Sequence, residues 1–421
     1  MKNLTLDPHD PRVAAARDAE EQLNTFYDLE PREHVVTLPG SGLRVRVTEV
    51  GEGPPLLVVP GNTGDGFPFA TLLPHLAGYR IVIVQRPGGG LSEGMDHREV
   101  DMREFAVETL TAVLDDLGLE RVPVLAHSMG GEWSLWLALD RPERVSGLAL
   151  VGVPGNVLDS CPPLSLRLTS IRGLGTLILR AVIPRSAKTA LNGLKVTGHS
   201  PESIARQPEA LAACYLAFGR LPHYEVSTVS LMQVMNRLRG AVPRFRLTEA
   251  DLRRITQPVL MVWGTSDPFG SVATAQRIAA ILPDAQLQTI DGAGHLPWLD
   301  EPARCGELVS GFLAALGTRH HPGTTDERRP EGWPAPHQPA VPAARRGGGW
   351  CRGGGGDRWC VGRDGVATTP GGDDAVDGER LRARLRVHHA GHDGWTGAPP
   401  GPRPTGEPPA RRRARHPHRR G

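Results

Sequence analysis

Several things are scarce in this sequence, and each shortage removes a class of function. The five cysteines, Cys161, Cys214, Cys305, Cys351 and Cys360, are scattered, with no Cys-x-x-Cys pair. That spacing indicates neither a zinc site nor a dithiol redox motif, so no metal is expected. The opening stretch MKNLTLDPHDPRVAAARDAEEQ is charged and carries no apolar run of the kind a secretory leader needs. No apolar run is long enough for a membrane span. These shortages predict a soluble cytoplasmic protein with no membrane partner.

Residues 318–421 lack more. They contain no Lys, Ile, Phe, Asn, Tyr, Met or Ser. A segment so poor in large apolar residues cannot bury enough surface to offset chain entropy, which predicts disorder. Several of the missing types are those written with AT-rich codons, which suggests a GC-rich out-of-frame or read-through product. Arg-rich runs with interspersed Trp could instead form a nucleic-acid-binding arm. The acidic residues mixed among them, and the lack of any fold motif, weigh against it. The segment holds 19 Arg against 11 acidic residues, so it carries +8 of a chain total of +2, leaving −6 on the remainder. A mildly acidic globular part predicts no nucleic-acid or membrane-surface partner.

What is present is a series of short, mostly apolar runs. Leu56–Val59, Arg80–Val84, Val122–Ala126, Gly147–Val151, Val259–Trp263 and Leu287–Ile290 read as strands buried on both faces. His34–Leu38 and Leu43–Val50, separated by the turn signal PGSG, precede them. Helical stretches alternate with the strands: Phe67–Leu76, Met102–Leu117, Gly131–Leu139, Ser271–Leu282 and Pro302–Leu316. The alternation predicts an α/β fold with a mostly parallel central sheet flanked by helices. Between Val151 and Val259 there are helical patterns but no convincing strand, which predicts a helical insertion acting as a lid. The expected organisation is a lead-in helix over 1–33, a core over 34–155 and 251–317, a lid over 156–250 and a low-complexity tail over 318–421.

The run VPVLA ends abruptly at His127-Ser128-Met129-Gly130-Gly131, and a helical stretch follows. A serine between a buried strand and a helix, among small neighbours, fits a nucleophile elbow of the G-x-S-x-G type, with Ala126 and Gly130 as the flanking small residues. A serine hydroxyl needs a base to remove its proton. Asp267, just beyond Val259–Trp263, and His295, just beyond Leu287–Ile290, follow in the chain order such a triad uses. They lie 28 residues apart, room for one helix and one strand, so both loops can emerge at the carboxyl edge of the sheet beside Ser128. His295 would act as base and then acid, and Asp267 would hold its tautomer. Asp159 is an alternative acid. The backbone N–H groups of Met129 and of Asn62, in the glycine-rich loop Pro60–Gly66, are candidates for an oxyanion hole. Gln85–Ser92 (QRPGGGLS) lacks dinucleotide-loop spacing and reads as a tight turn at the site edge.

VVPGNTGD, VQRPGGGLSEG, LAHSMGGEW, VLMVWGTSDPFG and DGAGHLPW occur in that order, and over about residues 34–316 the chain resembles α/β-hydrolase-fold enzymes. The resemblance implies the triad Ser128–Asp267–His295 and a lid inserted after the sixth strand. The chain departs from the family pattern at Pro60, where His is frequent, at Gln85, where Asp is common, and at Ala126, where Gly is usual. A serine nucleophile with no cofactor motif points to acyl transfer to water without a cofactor, with a carboxylic ester of a small or medium apolar molecule as substrate. Carbon–carbon, amide or thioester cleavage, haloperoxidase-like chemistry, and a non-catalytic binding role are the alternatives. Trp133 and Trp298 are candidate walls of an apolar pocket.

Overall fold

The computed structural model describes residues 3–319, which fall within one compact unit. The low-complexity reading of the tail, with its disorder and out-of-frame origin, lies outside the described residues apart from the end of the last helix. Eight strands form the central sheet: β1 (Arg32–Thr37), β2 (Arg44–Val50), β3 (Pro55–Val59), β4 (Arg80–Val84), β5 (Val122–Ala126), β6 (Val145–Val151), β7 (Val259–Gly264) and β8 (Ala285–Ile290). Their spatial order is β1-β2-β4-β3-β5-β6-β7-β8. The β1–β2 and β2–β4 pairs are antiparallel and every later pair is parallel. This is a mostly parallel sheet flanked by helices.

The unbroken apolar runs have a direct structural cause. Alternate residues of each strand point to opposite faces, and both faces are covered. Leu57, Val59, Val82, Val84, Val124, Leu148, Leu150, Met261 and Trp263 feed one apolar layer. Their sequence neighbours Leu56, Val58, Ile81, Ile83, Leu125, Ala149, Leu260 and Val262 feed the other. Each such buried side chain contributes about 1.5–3 kcal/mol relative to exposure, so neither layer can be left open.

Helices α1 (Pro11–Phe26), α2 (Met102–Asp116) and α3 (Met129–Asp140) come from the first half of the chain. Asp10 caps α1 by accepting from the Arg12 N–H, and Asp101 caps α2 by accepting from Arg103 and Glu104. Every residue of α3 from Met129 to Leu139 is buried, which suits a helix pressed between sheet and outer layers. Between β6 and β7 the chain runs mainly through helices, the longest being α4 (Leu174–Val182), α5 (Glu209–Phe218) and α6 (Tyr224–Met235). Two-residue strands pair at Asn236–Arg237 and Gly240–Ala241. Helices α7 (Val272–Ile281) and α8 (Pro302–Arg319) complete the described chain.

One expected helix is not an α-helix. Phe67–Leu76 forms two 3₁₀ turns, Phe67–Thr71 and Leu73–Leu76. Pro68 and Pro74 each sit at the start of a turn, and a proline inside a longer helix would remove a donor and clash with the preceding turn. Among the described residues no helix is long and apolar enough to cross a membrane.

Candidate active site

Strand β5 delivers the nucleophile candidate. The His127 N–H still bonds to the Val59 carbonyl at 3.1 Å, extending the β3–β5 ladder one residue past the strand. Ser128 then adopts φ 52° and ψ −123°, a left-handed backbone that costs a residue with a Cβ about 1–3 kcal/mol. Helix α3 starts at the next residue. The turn is possible because its neighbours are glycines in close contact. A Cβ on Gly130 would lie 2.1 Å from the Val59 oxygen, and one on Gly61 would lie 2.6 Å from His127 Nδ1 and 3.2 Å from Ser128 Cβ.

The sheet brings the three triad candidates together. His295 Nε2 lies 2.8 Å from Ser128 Oγ, and His295 Nδ1 lies 2.8 Å from Asp267 Oδ2. The Asp267 carboxylate can only accept, so Nδ1 carries the proton and Nε2 is left to accept from the serine hydroxyl. Asp267 is further held by the Val153 N–H at 3.2 Å and the Phe269 N–H at 2.9 Å. The Phe269 ring stacks on His295 with centroids 3.7 Å apart. All three triad side chains are buried. Asp159, the alternative acid, instead accepts from Thr274 and faces Arg277 at 3.4 Å on the exposed surface.

The loops carrying Asp267 and His295 are tied to each other. Thr265 N–H bonds to the Ile290 carbonyl and Ser266 N–H to the Ala293 carbonyl. The insertion also grips the His295 loop. The His295 N–H donates to the Thr197 carbonyl at 2.8 Å, and the Leu296 N–H donates to His199 Nε2 at 3.3 Å. His199 Nδ1 sits 2.9 Å from Asp300 Oδ2, and Asp300 also accepts from the Gly294 N–H. Burial pushes the Asp300 carboxyl up, but His199, Ser203 and the Gly294 N–H together outweigh it and leave the group below its usual range.

His127 and Arg86 carry roles that motif reading did not assign. His127 is buried, and its Nε2 lies 3.0 Å from the His295 carbonyl, which requires an N–H at that nitrogen. Burial, with His295 nearby, holds the ring neutral well below the ordinary histidine range. Arg86 is wholly buried beneath the loop after β3. Its Nε donates to the Pro60 carbonyl at 3.1 Å and its guanidinium also donates to the Gly61 carbonyl. Burial lowers its pKa only to about 10, so it stays cationic at neutral pH. A sequence signal existed for both, since His127 is the elbow residue just before the nucleophile and Arg86 lies within the turn QRPGGGLS. Neither partner could be read from one dimension.

Arg86 explains the orientation of the oxyanion candidates. With the Gly61 carbonyl turned to Arg86, planarity of the Gly61–Asn62 peptide directs the Asn62 N–H the opposite way. Met129 opens α3, so its N–H precedes the helical ladder. The QRPGGGLS segment is the expected tight turn: Gln85 Oε1 accepts from the Leu91 N–H at 2.7 Å, and Asp65 Oδ1 accepts from the Gly90 N–H at 2.7 Å.

Trp133 and Trp298 differ from the expected pocket walls. Both are completely buried. The Arg86 guanidinium lies over the Trp133 ring at 4.7 Å, and Phe105 meets it edge-on. Trp298 stacks on Phe69, meets the His127 ring edge-on and donates its Nε1–H to the Pro68 carbonyl at 2.7 Å. They are supports packed behind Arg86 and His127, with no face open to solvent.

Comparison with known proteins agrees with this architecture. The chain is 27% identical over 282 residues to a 2-hydroxy-6-oxononadienedioate/2-hydroxy-6-oxononatrienedioate hydrolase of Cupriavidus pinatubonensis, covering 64% of this chain and 90% of that protein. It is 28% identical over 305 residues to a similarly named hydrolase of Pseudomonas putida, covering 72% and 96%. Among solved structures, carboxylesterase CesB of Bacillus subtilis superposes with a TM-score of 0.58 at 19% identity, covering 72% of this chain and 99% of that one. A meta-cleavage product hydrolase of Pseudomonas fluorescens superposes with a TM-score of 0.55 at 18% identity, covering 67% and 97%. Residues 56–308 match the model of the alpha/beta hydrolase family, and the chain belongs to that family.

Proposed function

We propose that this hydrolase cleaves the carboxylic ester of a small or medium apolar molecule through an acyl-serine intermediate. The observation that carries the proposal is the relay Ser128 Oγ–His295–Asp267, with both links at 2.8 Å. His295 Nε2 takes the hydroxyl proton as Ser128 Oγ attacks the ester carbonyl carbon. The carbonyl oxygen gains the negative charge and rests on the N–H groups of Met129 and Asn62. Collapse of this intermediate breaks the carbon–oxygen bond, and His295 returns the proton to the departing alkoxide. A water then repeats the sequence on the acyl-serine, releasing the acid. Asp267 keeps the proton on Nδ1 and stabilises the imidazolium.

A second reading, hydrolysis of a carbon–carbon bond next to a ketone, is favoured by the names of the curated relatives. Those names describe dianionic substrates. Arg86 is committed to the Pro60 and Gly61 carbonyls and lies over Trp133, so it is not aimed at a substrate carboxylate.

Hydrolysis of p-nitrophenyl esters from acetate to laurate, run beside the Ser128→Ala variant, tests the proposal. Turnover that disappears in the variant is the expected result, and the chain-length preference sizes the acyl pocket. If Ser128 reacts with a fluorophosphonate while no ester is turned over, the carbon–carbon reading takes its place. A folded protein silent in both assays overturns the enzymatic reading in favour of a binding role.

A further inference from the structure

We infer that the outer face of the helical insertion is a docking surface for an anionic lipid bilayer. Large apolar side chains left exposed are concentrated there. Leu164, Leu174, Leu177, Val182, Val196, Val226 and Leu238 all belong to the insertion, against Phe26 and Val35 elsewhere among the described residues. Helix α4 is the centre of this face. Its sequence LGTLILRAV has only Thr176 and Arg180 as polar residues. Gly175 and Leu179 turn inward and are buried, while Leu174, Leu177 and Ala181, at i, i+3 and i+7, form an outward stripe with the half-buried Ile178 between them, and Val182 extends it. Leu177 is 64% exposed and Val182 is 65% exposed. An ordinary surface helix puts polar residues on that side, and a clustered apolar face marks an interaction site.

Charge identifies the occupant. From Ser160 to Pro201 the chain has no acidic residue and six basic ones, Arg167, Arg172, Arg180, Arg185, Lys188 and Lys195. Arg172, Arg185, Lys188 and Lys195 are exposed, while Asp96, Glu99 and Glu225 share the cleft at Arg172 and Thr176, so the segment's cations outnumber the carboxylates beside it. The globular part as a whole carries −6, so the charge of this face is opposite in sign to that of the body behind it. The acidic total that argues against a membrane partner therefore averages over a segregated surface. An apolar stripe within a segment of net positive charge fits acyl chains beneath anionic headgroups, while the acidic remainder is repelled and sets the orientation. The face is fixed to the core rather than hanging from it. Arg180 pairs with Glu225 of α6 at 2.6 Å, and α6 is held to the core by Ser227 on the Met95 backbone and Ser230 on His97. Docking is independent of which bond the site cleaves.

The test uses the full chain with vesicles of equimolar phosphatidylcholine and phosphatidylglycerol. The protein is expected to sediment with these vesicles, to release as salt rises, and to ignore pure phosphatidylcholine. The double variant Leu177→Asp/Val182→Asp should bind at least about tenfold more weakly, because charges replace the inserting side chains. The Arg-rich segment 318–421 attracts anionic lipid equally in both proteins, so the difference between them reads the insertion alone. Amide hydrogen exchange adds a local readout: residues 174–182 should gain protection when vesicles are added. Unchanged circular dichroism and unchanged fluorophosphonate labelling of Ser128 establish that the variant is folded. Equal binding by wild type and variant, or no added protection over 174–182, overturns the inference. Protection that grows with protein concentration without vesicles would assign the face to a second copy of the chain instead.

Discussion

The Nε2 of His127 meets the main-chain oxygen of His295 at 3.0 Å, so the residue before the nucleophile holds the backbone of the base. The two imidazole rings lie 4.7 Å apart, and Trp298 meets the His127 ring edge-on at 4.9 Å. Gly152 sits against the same contact, where an added Cβ would lie 2.3 Å from the His295 oxygen. His127 is thus a positioning residue for His295. Its replacement by Ala should lower kcat about 10- to 100-fold with little change in KM, because the base loses its register rather than its chemistry. His127→Gln, which keeps an N–H donor, should recover part of the loss. Steady-state kinetics on the preferred ester, with fluorophosphonate labelling rates alongside, check both outcomes.

The identity of the acid is tested separately. Asp267→Asn leaves the shape intact but favours the wrong tautomer of His295, and should lower kcat by about 10⁴. Asp159→Ala should leave kcat unchanged, since Asp159 faces Arg277 at the surface. A large loss in Asp159→Ala with little loss in Asp267→Asn would reverse the assignment.

Arg86 acts on the oxyanion through the peptide it holds. Arg86→Met removes both carbonyl contacts and frees the Gly61–Asn62 peptide to rotate, which should cost about 10²–10³ in kcat, as for loss of one oxyanion donor. Arg86→Lys can satisfy one carbonyl and should fall between the two. The loss should appear in kcat rather than KM. A variant that loses only thermal stability would reduce Arg86 to a packing role.

Glu132 makes stability depend on pH. It is completely buried in α3, and burial raises its pKa from 4.5 to about 8, with Asn156 opposing weakly. The folded state therefore keeps the proton at neutral pH while the unfolded chain gives it up. Its contribution is fully present below about pH 4.5 and is lost as pH rises through about 8. Asp65, raised by burial to about 7, acts with the same sign. Glu132→Gln keeps the shape and removes the titration. Thermal denaturation should show the variant several degrees more stable than wild type at about pH 8 and nearly equal at about pH 5. Parallel curves across that range would refute the assignment.

Much of this protein was decided locally and could be read from the chain. The two-faced burial of the central strands forces an unbroken apolar run such as Ile81–Val84. The elbow also needs small residues in a fixed order around Ser128. Chain order and a place just beyond a strand ranked Asp267 and His295 above other acids and histidines, because a parallel sheet sends consecutive strand ends to one edge. Folding decided what depends on residues far apart in sequence. Arg86 reaches back to Pro60 and Gly61, His199 of the insertion grips Leu296, and His127 grips the oxygen of His295. These contacts involve single side chains and backbone oxygens, which leave no periodic signature. Trp133 and Trp298 show the same limit in reverse. Sequence proximity to the triad suggested pocket walls, but helix α3 turns Trp133 beneath Arg86, and Pro68 receives the indole N–H of Trp298. The outward stripe of α4 was equally hidden, because an apolar helix reads the same whichever side is covered. Pattern follows from local geometry and burial, whereas the partner of a given side chain follows from how separate elements close on one another.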